Sequence, residues 1–362
     1  MNGLYFGDQY IPYEEIAHSK LTVERTYFNS VLDFCKSYLS GNKVFPVKTS
    51  GSTGKPKKIF LTRNQLKLSA RMTIDALSLT ESYKGLVCIS INHIGGKMML
   101  VRAMELEMPL YIAEPSSEPQ VQDLPPIDFV ALIPLQLRAL LTSKTGRSFL
   151  NHCKVVIVGG GTIDLSLESQ LDQFPNPIFQ TFGMTETVSH IALRRLNGPK
   201  KELYFHTFQG IELSVDERGC LVVCGAITNH EPVVTNDLVE MAAEGKFKWL
   251  GRLDQAINSG GYKIFPSKLY PLVFEALRFG GINADFAIIG LPDPKWGQKV
   301  TLVLELDDLS KESKEEILKK LKEKMHPYEV PKSIKHLHLI PRTATGKFDT
   351  KKISDSLKSG QP

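Results

Sequence analysis

Thr49-Ser50-Gly51-Ser52-Thr53-Gly54-Lys55-Pro56-Lys57 packs four hydroxyls, two glycines and two lysines into nine positions. The apolar, β-branched flanks Val44 to Val47 and Ile59 to Leu61 make the run a loop between two strands. Gly51 and Gly54 permit positive φ and close approach to a ligand. Successive backbone N–H groups in such a turn form a concave anion site. The hydroxyls and lysines add donors and positive charge, which suits a polyphosphate. A flexible surface loop is the plain alternative. The run is not a Walker loop: only two residues separate Gly51 from Gly54, and Pro56 follows the lysine.

At 362 residues the chain exceeds an average domain, so two domains are expected. A net charge of +5 among many charges of both signs accommodates an anionic substrate without requiring nucleic acid. No aromatic-and-basic stripe of the kind that binds nucleic acid is present. No apolar run is long enough to span a bilayer. The first eight residues lack a basic region followed by an apolar one, so no signal peptide is expected. The five cysteines follow neither a disulfide nor a zinc pattern, which points to a reduced, cytoplasmic protein.

Residues 1–43 carry mixed helical signals. Thr62 reads as the cap of a helix through Leu66, Ala70, Thr73 and Leu77. Short apolar runs at Leu86 to Ile91, Leu110 to Ala113, Phe129 to Ile133 and Val155 to Val158 then alternate with helical stretches, one over Gly95 to Glu107 and one opened by Pro134. That alternation implies an α/β fold with a doubly wound, mostly parallel sheet. Ligands of such sheets bind outside the carboxyl ends of the strands, where Gly159-Gly160-Gly161-Thr162 and Phe182-Gly183-Met184-Thr185-Glu186 fall. Residues 205–250 are β-rich. Beyond Gly251-Arg252-Leu253-Asp254 the chain reads as a small α+β unit with a hairpin at Ile257 to Ile264, turning at Gly260-Gly261. Its Lys/Glu-rich helix from Ser313 to Met325 puts Ile317, Leu321 and Met325 on one packed face.

A glutamate at a strand end beside a phosphate loop needs a cation between them, and Mg²⁺ takes one or two carboxylates plus substrate phosphates. Glu186 fits that requirement, although an exposed glutamate in a turn reads equally well on its own. Taken in chain order, the phosphate loop, Phe182-Gly183-Met184-Thr185-Glu186, Thr235-Asn236-Asp237, Gly251-Arg252-Leu253-Asp254 and Pro341-Arg342-Thr343-Ala344-Thr345-Gly346-Lys347 resemble the motif series of the adenylate-forming superfamily. Two departures are Asn236, where the family has glycine, and Asn258, where it has lysine.

The resemblance implies a role for each matching position. Thr49, Ser50, Gly51, Ser52, Thr53, Gly54 and Lys55 would hold ATP phosphates. Phe182 would stack on adenine beside Gly160, Thr185 would meet the nucleotide phosphate, and Glu186 would hold Mg²⁺. Asp237 would accept from the ribose hydroxyls, with Arg252 on ribose and phosphate. Asp254 would be the hinge between an AMP- and acyl-binding domain, residues 1–252, and a small mobile domain, residues 253–362. Lys347 would enter the site and stabilise charge on the reacting groups.

The phosphate loop comes roughly a hundred residues earlier than is usual in the superfamily, so the first N-terminal subdomain reads as shortened. In this the chain resembles the compact o-succinylbenzoate–CoA ligases of menaquinone biosynthesis. On that likeness His93 and Arg102, in the run Asn92 to Arg102, would line the acyl pocket with Gly159, and Ser259 would hydrogen-bond the aromatic acid. Arg102 would attract a substrate carboxylate; which of the two remains open. A surface helix residue with a packed stem is the plainer reading of Arg102. The implied activity is an ATP-dependent acid–CoA ligase using Mg²⁺, with coenzyme A as co-substrate. Another acid, a carrier-protein acceptor, a non-catalytic nucleotide-binding homologue and a homo-oligomer all stay open.

Overall fold

The computed structural model describes residues 2–18, 26–48, 57–161, 163–243, 245–343 and 348–359. Hydrophobic alternation decides its layers. In the strands Phe129–Leu132 and Val155–Val158 every residue is buried, and successive side chains enter opposite cores. Phe129, Ala131, Val155 and Ile157 join the core containing Leu66, Ala70 and Met98 to Val101. Val130, Leu132, Val156 and Val158 join the core containing Leu137, Leu140 and Leu150. A strand buried on both faces needs helices on both sides, and that is how a doubly wound sheet is covered.

Among the described residues the large sheet has thirteen strands. One half is parallel, through Gly3–Phe6, Leu110–Ile112, Gly85–Val87, Phe129–Leu132, Val155–Val158 and Ile178–Gly183. From Ile178–Gly183 onward every pairing is antiparallel, out to Ile211–Val215. The β-rich stretch is therefore the continuation of the doubly wound sheet, which is mixed. The opening residues differ from the helical signals read in sequence. Gly3–Phe6 and Gln9–Pro12 form a hairpin on the sheet edge, followed by helices Tyr13–His18 and Thr26–Leu39. Four-residue strands are too short to show a period.

Strands Val44–Lys48 and Lys58–Thr62 pair antiparallel, from Val44 opposite Thr62 to Lys48 opposite Lys58. They flank residues 49–56 in the chain. Thr62 then starts the helix Arg63–Leu77 through a capping box: its hydroxyl accepts from Gln65 N, and the Gln65 side chain accepts from Thr62 N.

The large sheet's Lys246–Arg252 strand is followed by a short turn and then by Ile257–Ser259 in a five-stranded sheet. Here too alternation fills two cores. Phe286 and Ile288 face Ile317 and Leu321, whereas Ala287 and Ile289 face Ile340 and Ile353. Polar contacts cross the junction through Arg138 and Ser267. Arg138 reaches Asp164 at 2.6 Å and Asp285 at 3.3 Å, and Asp285 also takes Arg342 at 2.7 Å. The Ser267 hydroxyl donates to the Leu250 carbonyl.

One turn controls how the two halves of the large sheet meet. After Gly183 the chain makes a 3-10 turn, Thr185–Thr187, and returns through Val188 to the strand His190–Arg195. Val188 sits at φ 65°, ψ −48°, a conformation costly for a β-branched residue by about 1–3 kcal/mol. A Cβ on Gly183 would lie 2.1 Å from the Ser189 carbonyl oxygen and 2.4 Å from His190 Cα. Gly183→Ala should therefore destabilise the protein by about 2–3 kcal/mol, read as a lower urea midpoint with an unchanged slope.

Candidate active site

The turn after Gly183 presents Thr185 and the exposed Glu186 outward, with Thr187, Val188, Ser189 and His190 buried behind them. The Thr187 hydroxyl accepts from Met184 N at 3.0 Å and lies 2.9 Å from the Ser189 carbonyl, which locks the turn. Among the described residues no group of three or more His, Cys, Asp or Glu side chains could hold a metal ion. Glu186 is thus not part of such a group. That suits a Mg²⁺ ion whose remaining ligands are water and substrate phosphates, and would not suit an all-protein metal cage.

Phe182 packs edge-on against Phe247, with ring centroids 4.9 Å apart, and tilted against Phe205 at 5.6 Å. These neighbours fix its ring plane on a partly exposed surface. Gly159 ends the strand below it, and a Cβ there would meet the Thr181 hydroxyl at 2.4 Å. Gly160 follows at φ 78°.

Asp237 and Arg252 are register partners on adjacent antiparallel strands. Trp249 Nε1 donates to Asp237 Oδ1 at 2.9 Å, and Arg252 Nη1 donates to Oδ2 at 3.4 Å. The same guanidinium grips Asp254 through Nε to Oδ1 at 2.9 Å and Nη2 to Oδ2 at 2.6 Å. One arginine therefore ties the end of the large sheet to the turn that leads into the small one. Trp249 was not apparent from the sequence; its signal is an indole N–H in a half-buried strand, which needs an acceptor.

Arg102 lies on the helix Ile94–Leu106 and is only 1% exposed, so the surface reading of it is overturned. Its Nη2 donates to Ser189 Oγ at 3.4 Å and to His190 Nδ1 at 3.5 Å, and its buried Nε has no partner among the described residues. No carboxylate pairs with it among the described residues. Burial pushes its pKa down to about 9, still above neutrality, so it is charged at pH 7.

His93 caps the start of the same helix, exposed and with no side-chain cap bond. Nine residues separate the two, which is about 180° around the axis and about 13.5 Å along it. His93 and Arg102 consequently do not share a helix face. Ser259 is buried in the small sheet opposite Tyr262 and Gly297, and its hydroxyl has no partner among the described residues. Thr49, Ser50, Gly51, Ser52, Thr53, Gly54, Lys55 and Lys347 lie outside the described residues.

The small sheet also carries a cluster that sequence reading missed. Tyr262 stacks on Tyr328 at 4.0 Å, Trp296 meets Tyr328 edge-on at 6.0 Å, and His326 stacks on Tyr328 at 5.5 Å. Lys295 and Lys332 lie over Trp296 at 5.1 and 5.4 Å. These aromatics are scattered over 67 positions, so no local motif marks them; they converge beside Gly260-Gly261 only in the fold.

Comparison with known proteins agrees with this architecture. Residues 47–221 match the AMP-binding enzyme family, and residues 283–347 match the AMP-binding enzyme C-terminal domain. A solved acyl-CoA synthetase (AMP-forming)/AMP-acid ligase II-like protein from Dyadobacter fermentans is 38% identical, with a TM-score of 0.63 over 94% of this chain and 97% of its own. The chain belongs to the AMP-binding enzyme family. It is similar to the 2-succinylbenzoate–CoA ligase of Listeria monocytogenes, at 26% identity over 85% of this chain and 68% of the relative. The corresponding Bacillus cytotoxicus ligase is 26% identical over 86% and 70%. The fold is also that of o-succinylbenzoate coenzyme A synthetase from Bacillus subtilis, solved with ATP and magnesium, at TM-score 0.69 and 22% identity over 86% of this chain and 69% of the other.

The Arg252 pair has a pH signature. Burial alone would raise the Asp254 carboxyl, but the hydrogen bonds and charge of Arg252, with Asn236, bring it below its ordinary value. A carboxylate depressed in the folded state stabilises fully above its unfolded pKa, about 3.9. That share is lost as pH falls through the folded value. Asp254→Asn should therefore flatten the acid limb of the stability curve below about pH 4, measured by urea unfolding across pH 2.5 to 6.

Proposed function

We propose that this chain is an ATP-dependent acid–CoA ligase that converts o-succinylbenzoate into its CoA thioester through an acyl-adenylate. The observation that carries the reading is the buried charge of Arg102, which has only neutral acceptors among the described residues. A desolvated guanidinium without a counter-ion costs several kcal/mol, and a substrate carboxylate would offset that cost. A fatty acid, whose single carboxylate must be at the phosphate to react, could not supply it. O-succinylbenzoate carries a second carboxylate, and the similar curated proteins bear its name.

In the first half-reaction a carboxylate oxygen of the succinyl arm attacks the α-phosphorus of ATP in line. The P–O bond to pyrophosphate breaks, and the acyl-adenylate remains. Thr49 to Lys55 would cradle the phosphates and Thr185 would donate to them. Phe182, Gly160, Asp237 and Arg252 would hold the nucleoside. Glu186 would hold Mg²⁺, which neutralises phosphate charge when bound. Lys347 would approach both reacting groups. The catalysis is positioning and electrostatics.

In the second half-reaction the thiolate of CoA attacks the acyl carbon and AMP leaves with the electron pair of the broken C–O bond. We take residues 1–252 and 253–362 as two domains that pivot at Asp254 between the steps. The Tyr262, Trp296, Tyr328 platform with Lys295 and Lys332 offers aromatic faces to a purine and cations to its phosphates, which fits the nucleotide end of CoA. A cytoplasmic location agrees with the unpaired cysteines.

Three measurements test the reading. A coupled thioester assay with ATP, Mg²⁺ and CoA should give product with o-succinylbenzoate and none with benzoate or a medium-chain fatty acid; product with the fatty acid alone would discard the acid assignment. Lys347→Ala should lower acyl-adenylate formation by about 10²-fold or more while sparing thioester formation from supplied acyl-adenylate. Equal loss of both steps would remove Lys347 from the first. Asp254→Pro should spare pyrophosphate release and block thioester formation, and normal overall turnover would argue against the pivot.

A further inference from the structure

Arg102 is held by a relay whose polarity the structure determines. The Thr73 hydroxyl sits 3.1 Å from the Ser69 carbonyl, one turn back in its own helix, and 3.1 Å from His190 Nε2. A guanidinium only donates, so His190 Nδ1, which faces Arg102 Nη2, is the acceptor of the ring, and the proton of the neutral imidazole lies on Nε2. Thr73 Oγ1 then accepts from His190 and gives its own proton to the Ser69 carbonyl. His190 Nδ1 is left as a lone-pair acceptor, and it faces Arg102 Nη2 at 3.5 Å and Ser189 Oγ at 3.4 Å. Phe208 packs edge-on against the ring at 5.4 Å and holds its plane. Burial and the neighbouring Arg102 charge both keep the imidazole neutral at pH 7.

We propose that His190 is a positioning residue for acid recognition: its fixed neutral acceptor orients Arg102 toward the substrate carboxylate that is not activated. The choice of residue matters chemically. An aspartate or glutamate at 190 would satisfy the guanidinium itself and exclude a carboxylic ligand. An apolar residue would leave the guanidinium unoriented. Imidazole engages one N–H and leaves the buried Nε donor for the ligand. The turn through Val188 leads directly into Ser189 and His190, and Gly183 packs against their backbone with no room for a Cβ.

This inference rests on the proposed ligase activity, so the experiment separates the two. Wild-type enzyme is compared on o-succinylbenzoate and on 3-benzoylpropionate, which has the same skeleton without the ring carboxylate. No preference for o-succinylbenzoate in the wild type overturns the acid assignment. Given that preference, His190→Leu should raise KM for o-succinylbenzoate about tenfold, leaving KM for ATP and for 3-benzoylpropionate unchanged. His190→Gln, which restores an acceptor, should recover most of the loss, and His190→Asp should bind the dicarboxylate most weakly of all. Both acids shifting together, or His190→Asp retaining wild-type KM, overturns the role of His190. Nitrogen-15 spectra of histidine-labelled wild type give a reading independent of turnover: a neutral Nε2–H ring is expected, and an Nδ1–H or doubly protonated ring overturns the relay.

Discussion

Much of the active-site architecture depends on one unbalanced charge. Arg102 is among the largest fully buried side chains, and no acid beside it balances its positive charge among the described residues. An isolated buried ion is tolerated only where the surroundings over-determine its position. Here three elements do so. The helix Ile94–Leu106 delivers the stem, the helix Arg63–Leu77 supplies Thr73, and the strand beginning at His190 supplies the acceptors. Two of them show local constraint at the junction: the turn before His190 has a β-branched residue at positive φ and a glycine whose Cβ has no room, and Thr73 has its hydroxyl bent back onto its own helix. Penalties gathered around one functional side chain are characteristic of sites in which stability is traded for preorganisation.

The same turn serves both sides of the chemistry. Its outer edge carries Thr185 and Glu186, where the family motif places phosphate and magnesium. Its inner edge carries Ser189 and His190 against Arg102. Thr185 and Ser189 are only four positions apart in the chain, so one short turn carries both edges. The change from parallel to antiparallel pairing at Ile178–Gly183 makes this arrangement possible. A parallel neighbour would have needed a crossover of a dozen or more residues, whereas the antiparallel return brings the chain back within six.

Local chemistry was readable from the chain, and tertiary convergence was not. Thr62 and Gln65, Pro134, the Gly260-Gly261 hairpin and the stripe of Ile317, Leu321 and Met325 each announce their structure through nearby residues. Arg102 could be singled out, but its burial could not, because helical periodicity around it is weak: Met98 to Met104 is buried on all sides. His190 stands at the head of the apolar run Ile191-Ala192-Leu193, a titratable group where none is needed, and that was its only signal. His93 and Arg102 lie half a turn out of phase, since nine residues is a half-integral number of helical turns.

The junction between the sheets follows a different logic from the cores. Within each sheet the packing is apolar and close; the polar links that cross between them are Arg138 with Asp285, Arg252 with Asp254 and the Ser267 hydroxyl with the Leu250 carbonyl. These side chains are partly exposed, so water stands ready to replace each bond, and exposed pairs contribute about 0–1 kcal/mol apiece. An apolar junction of similar extent would have to expose its surface to water on opening. A polar, hydrated one can exchange partners at little net cost, which is the condition for two rigid bodies to adopt more than one orientation. Arg252 holds Asp237 and Asp254 at once, so one guanidinium joins the last strand of the large sheet to the turn that leads into the small one.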